Sequence, residues 1–170
     1  MNDNLDTQSK ETQLQLVGDT DIVITHSFAA PAEVVFEAIT DPEHVKRWWA
    51  PKSRGEMLIC EMDVRVGGKW RHVMRTNSGF EAGFSGEYRE IAAPHRIVCT
   101  EVFDPFPQVV SLVTVTLEER AGVTTLTNHV SYPSREVRDQ VLATGMEHGM
   151  RESYRQLHEL IRRLAASKRR

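Results

Sequence analysis

The C-terminal segment from Ser134 to about Ala165 constrains the fold more than any other part of the sequence. Ser134 is a favourable helix N-cap, and Glu136 follows in the first turn, where an acidic side chain stabilises a helix. At about 1.5 Å per residue the helix would be roughly 45 Å long. The segment therefore predicts one continuous amphipathic helix, with apolar side chains at Val137, Val141, Leu142, Met146, Met150, Tyr154, Leu157, Ile161 and Leu164.

Two glycines lie four residues apart in this segment, at Gly145 and Gly149, beside Met146 and Met150. Glycine costs roughly 1 kcal/mol of helix propensity relative to alanine, so its presence calls for a structural reason. Either a neighbouring backbone or side chain packs against this thin part of the helix, or a ligand cavity opens there. The sequence leaves both alternatives open.

The N-terminal part of the chain predicts a tail, a strand and two short helices. Residues 1–19 are polar and predict a disordered tail, and residues 20–170 predict a single domain. Alternating apolar residues predict a first strand at 21–28. Pro31 and the Asp41-Pro42 pair then stand at the usual start positions of two short helices.

The middle of the chain has the period-two pattern of a β-sheet. Turn residues separate six further predicted strands, at about 55–62, 68–76, 80–91, 95–103, 109–119 and 122–132. Short connections make successive strands antiparallel neighbours. The predicted class is therefore α+β, with a seven-stranded antiparallel sheet that buries one face against the long C-terminal helix.

Charge and composition argue against several classes of function. A net charge of −3 disfavours nucleic acid as the main partner. Cys60 and Cys99 lack metal-ligand spacing and indicate ordinary thiols in a reducing cytosol, so a cytoplasmic location is predicted. No apolar run approaches the roughly 18 residues of a membrane span. Neither a metal site nor a cofactor motif is found, so none is predicted.

Several short motifs together resemble a known superfamily. They are Asp41-Pro42, Trp48-Trp49-Ala50-Pro51, Gly67-Gly68-Lys69-Trp70, Phe84-Ser85-Gly86-Glu87-Tyr88, Pro94-His95-Arg96-Ile97-Val98, and Gly145-Met146 with Gly149. This combination resembles the START-like (SRPBCC) superfamily and, within it, the bacterial relatives of the C-terminal domain of the activator of heat shock protein 90 ATPase. The resemblance covers about residues 20–165 and implies the helix-grip fold, in which a sheet curls around a long C-terminal helix.

The resemblance leaves the function open, because the superfamily includes lipid and hormone carriers, polyketide cyclases and oxygenase subunits. Our leading hypothesis is a non-enzymatic protein that binds a small lipophilic molecule, such as an aromatic or polycyclic compound, in a cavity between the sheet and the helix. The expected ligand-binding residues are Trp48, Trp49, Trp70, His72, Met74, Phe84, Glu101, Phe103, His129, Met146, Gly149 and Met150.

An enzyme of cyclase, dehydratase or hydrolase type is the first alternative. If the strands carrying His72, Glu101 and His129 all direct these side chains inward, two imidazoles and one carboxylate meet in an apolar cavity and form a candidate catalytic cluster. The opposite interpretation is that these side chains point outward or have structural partners, since a slip of one residue reverses every direction.

A chaperone-linked stress-response module is the second alternative, implied by the resemblance, and it requires an exposed apolar patch. A homodimer is also considered, because an exposed edge strand is able to pair with another chain. Trp48 and Trp49 point about 100° apart on a helix, so we expect one in the core and the other at the cavity mouth.

Overall fold

The computed structural model describes residues 12–170 and contains one antiparallel sheet and four helices within that range. The strands are β1 (Gln13–Val17), β2 (Asp21–Phe28), β3 (Gly55–Met62), β4 (Lys69–Thr76), β5 (Glu81–Ala92), β6 (Arg96–Phe103), β7 (Ser111–Arg120) and β8 (Val123–Ser131). The helices are α1 (Ala32–Thr40), α2 (Pro42–Trp48), α3 (Arg135–Ala143) and α4 (Met146–Lys168).

The strands lie in the order β1-β2-β8-β7-β6-β5-β4-β3, and every neighbouring pair is antiparallel. The seven strands predicted from the sequence are all present, and the α+β helix-grip architecture is confirmed. Connections of a few residues between β3 and β8 explain this regular order, because short links join adjacent strands.

The prediction of a disordered tail over residues 1–19 is wrong for its second part. β1 pairs with β2, with Gln13 opposite Thr25 and Val17 opposite Asp21. The turn between them contains Gly18 at φ +56°, a conformation that glycine adopts without steric cost. The part of the tail prediction that falls on residues 1–11 lies outside the described residues.

The prediction of one continuous C-terminal helix is also wrong. The helical path is interrupted after α3, and α4 starts anew from Gly145, whose φ is +75°. This left-handed backbone conformation reverses the local helical path and strongly favours glycine. Ser134 caps α3 as expected, since its hydroxyl oxygen accepts a hydrogen bond from the Val137 backbone N–H at 3.2 Å.

The two short helices follow the first long strand, as predicted. Asp41 caps α2 by accepting a hydrogen bond from the Glu43 backbone N–H at 2.9 Å, and Pro42 stands in the first turn. α1 buries Val35 and Ala38 completely against the sheet and α4. These helices therefore cover one end of the sheet.

The main core lies where β2, β7 and β8 face α1 and the C-terminal part of α4. We call this region the sealed half, represented by Ile22, Ile24, Phe28, Leu126, Leu157 and Ile161, none of which is more than 3% exposed. A smaller cluster of Trp70, Tyr88 and Ile97 continues across the middle strands. Within residues 12–170, none of the helices has the length and apolar character of a membrane span.

Candidate functional site

The inner face of β4, β5 and β6 is less completely covered than the sealed half. We call this region the open half, represented by Met74, Phe84, Glu101 and Phe103 from the strands and by Met146 from α4, and each of these residues is half-buried. Met150 of α4 is also half-buried, but it packs against the sealed half. α4 packs mainly against α1, α2, α3 and β2, and no strand from β4 to β6 is among its main neighbours in the described chain. The spacing between α4 and these strands therefore leaves accessible apolar surface on the inner face.

A row of aromatic rings crosses the open half. His72, Phe84 and Phe103 are cross-strand neighbours on β4, β5 and β6. The rings of Phe84 and Phe103 stack with centroids 4.8 Å apart, and Trp49 meets His72 at 5.1 Å and Phe84 at 5.4 Å, edge to face in both cases. Such geometries are the favourable ones for aromatic pairs and suit the binding of a further flat ring.

The loop that carries Trp49 is fastened to α4 by polar side chains. Gln156 donates to the carbonyl oxygens of Trp48 at 2.9 Å and Ala50 at 3.0 Å, and Ser153 donates to the Trp49 carbonyl oxygen at 2.8 Å. Sequence reasoning missed these contacts, because about 100 residues separate the partners along the chain. Their effect is to fix the backbone of the loop beside the aromatic row.

Further contacts extend this fastening beyond Trp49. Glu152 accepts hydrogen bonds from the Ser53 backbone N–H at 3.0 Å and the Ser53 hydroxyl at 2.5 Å, and these bonds lower the pKa of its carboxyl group. Gln156 also accepts from the Lys52 backbone N–H at 3.0 Å. The segment from Trp48 to Ser53 is thus held along most of its length.

The structure answers the question posed by the two glycines. A Cβ atom built at Gly149 would lie 3.5 Å from Pro51 and 3.7 Å from Arg54, so the thin part of α4 is where the loop packs. The loop therefore packs against α4 at this position, and the assignment of Gly149 to the ligand-binding set stays a prediction. Gly145 has open space around it and is explained by its positive φ instead.

Glu101 is the carboxylate of the open half. It shares the inner face of β6 with Cys99 and Phe103, and burial raises its pKa to about 7. Among the described residues no hydrogen bond or ion pair to its carboxylate is found. Desolvation disfavours the charged form of an unpaired carboxyl group, which explains the direction of the shift.

His72 is a buried neutral imidazole beside the aromatic row. Burial lowers its pKa to about 4, and its Nδ1 atom has no hydrogen-bond partner in the described chain. Its ring also contacts Trp70, with centroids 5.0 Å apart, and the Trp70 indole N–H donates to the Thr100 carbonyl oxygen at 3.2 Å. His72 therefore contributes a polar nitrogen to an otherwise apolar wall.

The predicted catalytic cluster does not form. His129 lies on the outer face of the sheet, because Leu126 and Val130 occupy the inner positions of β8, and its Nε2 atom contacts Asp21 at 2.6 Å. His72 and Glu101 are on strands separated by β5, which places them about 10 Å apart at the usual strand spacing. No single substrate atom contacts all three groups, so the three-residue catalytic assignment is wrong, as is His129 in the ligand-binding set.

The two neighbouring tryptophans divide as expected from their angular separation. Trp48 packs against the sealed half, and its indole N–H donates to the Ala38 carbonyl oxygen at 2.9 Å. Trp49 turns instead to His72 and Phe84. Trp48 therefore belongs to the structural core, whereas Trp49 borders the open half.

Two further depressions lie on the surface away from the open half. One is bordered by Thr12, Leu14 and Arg151, and the other by His95 and Arg120. Neither contains a predicted ligand-binding residue. Within residues 12–170, no group of three or more His, Cys, Asp or Glu side chains is arranged to hold a metal ion.

An antiparallel sheet, two short helices after its first long strand and a long C-terminal helix across its inner face define a helix-grip protein. The family described as Activator of Hsp90 ATPase homolog 1-like protein matches residues 29–162. The chain belongs to this family.

Solved structures of bacterial proteins agree with this assignment. A protein from Rhodobacter sphaeroides is 30% identical, with a TM-score of 0.82 over 89% of this chain and 98% of its own. A protein from Nitrosomonas europaea is 25% identical, with a TM-score of 0.78 over 89% of this chain and 99% of its own. CalU16 from Micromonospora echinospora, 22% identical with a TM-score of 0.59, covers 93% of this chain and 92% of its own and shows the shared fold. No curated protein matches the chain.

Proposed function

We propose that this protein binds a small lipophilic molecule, aromatic in at least one part, in the open half. The observation that carries the proposal is that Met74, Phe84, Phe103 and Met146, all of which are apolar, are only half-buried. Large apolar side chains on the concave face of a sheet normally lose contact with water, so their remaining exposure marks surface that a ligand is able to cover.

The shape of the aromatic row specifies the ligand further. The ring of Phe84 lies 5.4 Å from that of Trp49 and 4.8 Å from that of Phe103, centroid to centroid, and methionine side chains adapt to irregular shapes. A flat, rigid ring system gains both apolar burial and aromatic contact in such a place. A long flexible chain gains apolar burial but no aromatic contact, and it loses more conformational entropy on binding.

A fluorescent titration tests this proposal. The neutral dye N-phenyl-1-naphthylamine is expected to bind saturably and to quench tryptophan emission, and the quenching is expected to fall sharply in Trp49→Phe. Phe84→Ala removes one ring of the row and is expected to weaken binding about tenfold. The ring contributes buried apolar area and, in addition, about 1 kcal/mol of aromatic contact.

Phe80→Ala is the matched control, because Phe80 is 52% exposed in the turn just before the same strand. It is expected to leave dye affinity unchanged. Absence of saturable binding, or equal losses in Phe84→Ala and Phe80→Ala, would contradict a ligand site in the open half.

A chaperone-linked interaction module is a second candidate, favoured by exposed apolar side chains near one end of the sheet. Phe80 and Phe106 are each 52% exposed, and Val110 is 50% exposed. Co-sedimentation with a bacterial Hsp90, and its ATPase rate with and without this protein, test the candidate. Phe80→Ala combined with Phe106→Ala is expected to abolish any effect. Homodimer formation and a cytoplasmic location stay predictions.

A further inference from the structure

We infer that the open half selects lipophilic compounds that carry a basic nitrogen, whose protonated form pairs with the Glu101 carboxylate. This inference rests on the proposed function and narrows the chemical class of the ligand.

The position of Glu101 directs its carboxylate towards the open half. Alternation on β6 places Glu101 on the same face as Phe103, which belongs to the aromatic row. Its cross-strand neighbour on β7 is Ser111, a small buried residue. Among the described residues no donor satisfies the carboxylate, which is unusual, since buried charged groups are normally paired.

The groups around Glu101 supply no positive charge. Burial, together with the charge of Glu101, raises the pKa of Cys99, on the same strand, and of Tyr132, just after β8, so both groups lie near its carboxylate and are neutral at pH 7. His72 on β4 is also neutral, because burial lowers its pKa to about 4. From α4 the open half receives Met146, a neutral side chain.

Two cationic side chains of the helices already have partners, and a third cation, Arg54, is exposed on the loop beside Gly149. Arg151 pairs with Glu147 at 2.7 Å on α4. Arg138 on α3 pairs with Asp139 at 3.1 Å and donates to the Gly18 carbonyl oxygen at 2.9 Å. Among the described residues no charged group shifts the pKa of Glu101, since burial is the whole cause of its shift. The site therefore has one unpaired acid and no cation to match it.

This arrangement discriminates between ligand charges. A ligand carboxylate would meet a second acid without a counter-ion, which is unfavourable in an apolar site. A ligand ammonium group pairs with Glu101 and lies beside the aromatic faces of Phe84 and Phe103, which attract cations. A neutral hydroxyl group gains a hydrogen bond but no ion pair.

Binding of such a ligand changes the protonation of Glu101. With a pKa of about 7, the free site is a mixture of carboxylic acid and carboxylate at neutral pH. An ammonium ligand pairs with the carboxylate, so the acid form releases its proton to solvent when the ligand binds. The ligand keeps its own proton, and the net reaction is the exchange of one proton for one cation.

Three probes of equal shape test the inference by competition with N-phenyl-1-naphthylamine. They are 2-naphthylmethylamine, 2-naphthylmethanol and 2-naphthoate, measured with the full chain from pH 5.5 to 8.5. The amine is expected to bind at least tenfold more tightly than the alcohol at pH 8, and the naphthoate more weakly than both. Below pH 7 the amine affinity is expected to fall about tenfold per pH unit, because Glu101 becomes protonated.

The Glu101→Gln variant is expected to bind the amine and the alcohol equally and without pH dependence. Glu118→Gln, which changes an exposed carboxylate on β7, is expected to retain the full preference. If Glu101→Gln fails to fold, the pH dependence of amine affinity in the wild-type protein is a sufficient test.

The outcomes separate this inference from the proposed function. If the alcohol binds as tightly as the amine, or the amine affinity is independent of pH, the inference is wrong while the apolar site remains. If none of the three probes displaces the dye, and the dye itself does not bind, both the inference and the proposed function are wrong.

Discussion

On the sealed half, Leu157 and Ile161 of α4 are 0% and 1% exposed, whereas on the open half Met146 of the same helix remains half-buried. One helix thus has two different surroundings along its length. Towards its C-terminal end it packs with α1 on β2, and near its first turns the loop containing Pro51 lies against Gly149. The difference shows that one helix packs into the core at one end and against a loop at the other.

The residue types of the two regions follow this division. The sealed half is built from Ile, Leu and Phe, whose side chains have few rotamers and pack closely. The open half has methionines and an unpaired acid. We therefore expect the first region to determine stability and the second to tolerate changes of shape and charge.

The largest expected effect separates the two regions by truncation. Leu157→Ala is expected to reduce the free energy of unfolding by about 3 kcal/mol, because a fully buried leucine leaves a cavity. Met74→Ala removes a half-buried side chain of the open half and is expected to cost about 1 kcal/mol. Urea denaturation at pH 7 measures both. Equal losses would show that the open half is packed as tightly as the sealed half.

The next effect concerns pH and the buried His26, which lies 2.9 Å from His158 and 3.0 Å from the Thr12 hydroxyl. Burial, together with the charge of His158, lowers the pKa of His26 to about 4. The folded-state pKa lies below the unfolded value of about 6.5. The stability that depends on neutral His26 is therefore lost as pH falls from about 6.5 to about 4.

The stability of wild type and His26→Asn measures this loss. The variant is expected to be less stable at pH 7, and its deficit is expected to shrink by about 2 kcal/mol at pH 5, where the wild type pays the cost of keeping His26 neutral. His148→Asn, at an exposed position on α4, is the control and is expected to show no such change. If the variant loses the same free energy of unfolding at pH 7 and pH 5, the pKa of His26 is not lowered in the folded protein.

In the open half, we expect a substitution of Glu101 to raise stability at high pH, a smaller effect than that of His26 and opposite in sign. Burial raises the pKa of Glu101 to about 7, above its unfolded value, so its contribution is favourable at low pH and is lost as pH rises towards and beyond 7. Glu101→Gln is therefore expected to stabilise the protein by about 1 kcal/mol at pH 8, a value reduced for the water that reaches the half-buried side chain. No gain is expected at pH 5. A variant less stable than wild type at pH 8 would reveal a hidden partner of the carboxylate.

The smallest effects compare the two glycines of the helix break. Gly149→Ala is expected to raise stability by about 0.5 kcal/mol, because a Cβ atom there makes only ordinary contacts and helix propensity improves. Gly145→Ala is expected to lower it by about 1 kcal/mol, since its φ of +75° is unfavourable for alanine. Thermal unfolding of both variants measures the difference. If both substitutions change stability in the same direction, the assigned roles of the glycines are wrong.

Local patterns in the sequence were sufficient for most of the fold. Alternating apolar residues and turn residues act between neighbours in the chain, and they located the seven strands and two short helices within a few residues. β1 was missed because Leu16 and Val17 are exposed and the alternation of Leu14 and Leu16 is short, although the following Gly18-Asp19 pair is a turn signal. The break at Gly145 depends on tertiary packing, which periodicity does not report.

The sequence predicts the candidate site only where it shows which side chains of a strand point to the inner face of the sheet. Alternation placed His72 and Glu101 on inner faces, but for β8 the polar set containing Thr127 and His129 was considered for the inside. The apolar residues Leu126 and Val130 belong to the opposite set, and giving them more weight would have assigned the direction correctly. The contacts of Gln156 with the loop depend on positions far apart in the chain, and no local pattern contains that information.

The hydrogen bonds between α4 and the Trp48–Ser53 loop have a mechanical consequence. Gln156, Ser153 and Glu152 all lie on one helix, and together they hold the backbone on both sides of Trp49. A displacement of α4 therefore moves Trp49 as well, and with it the contacts of Trp49 with His72 and Phe84. Tryptophan emission consequently reports the position of a helix that contains no tryptophan of its own.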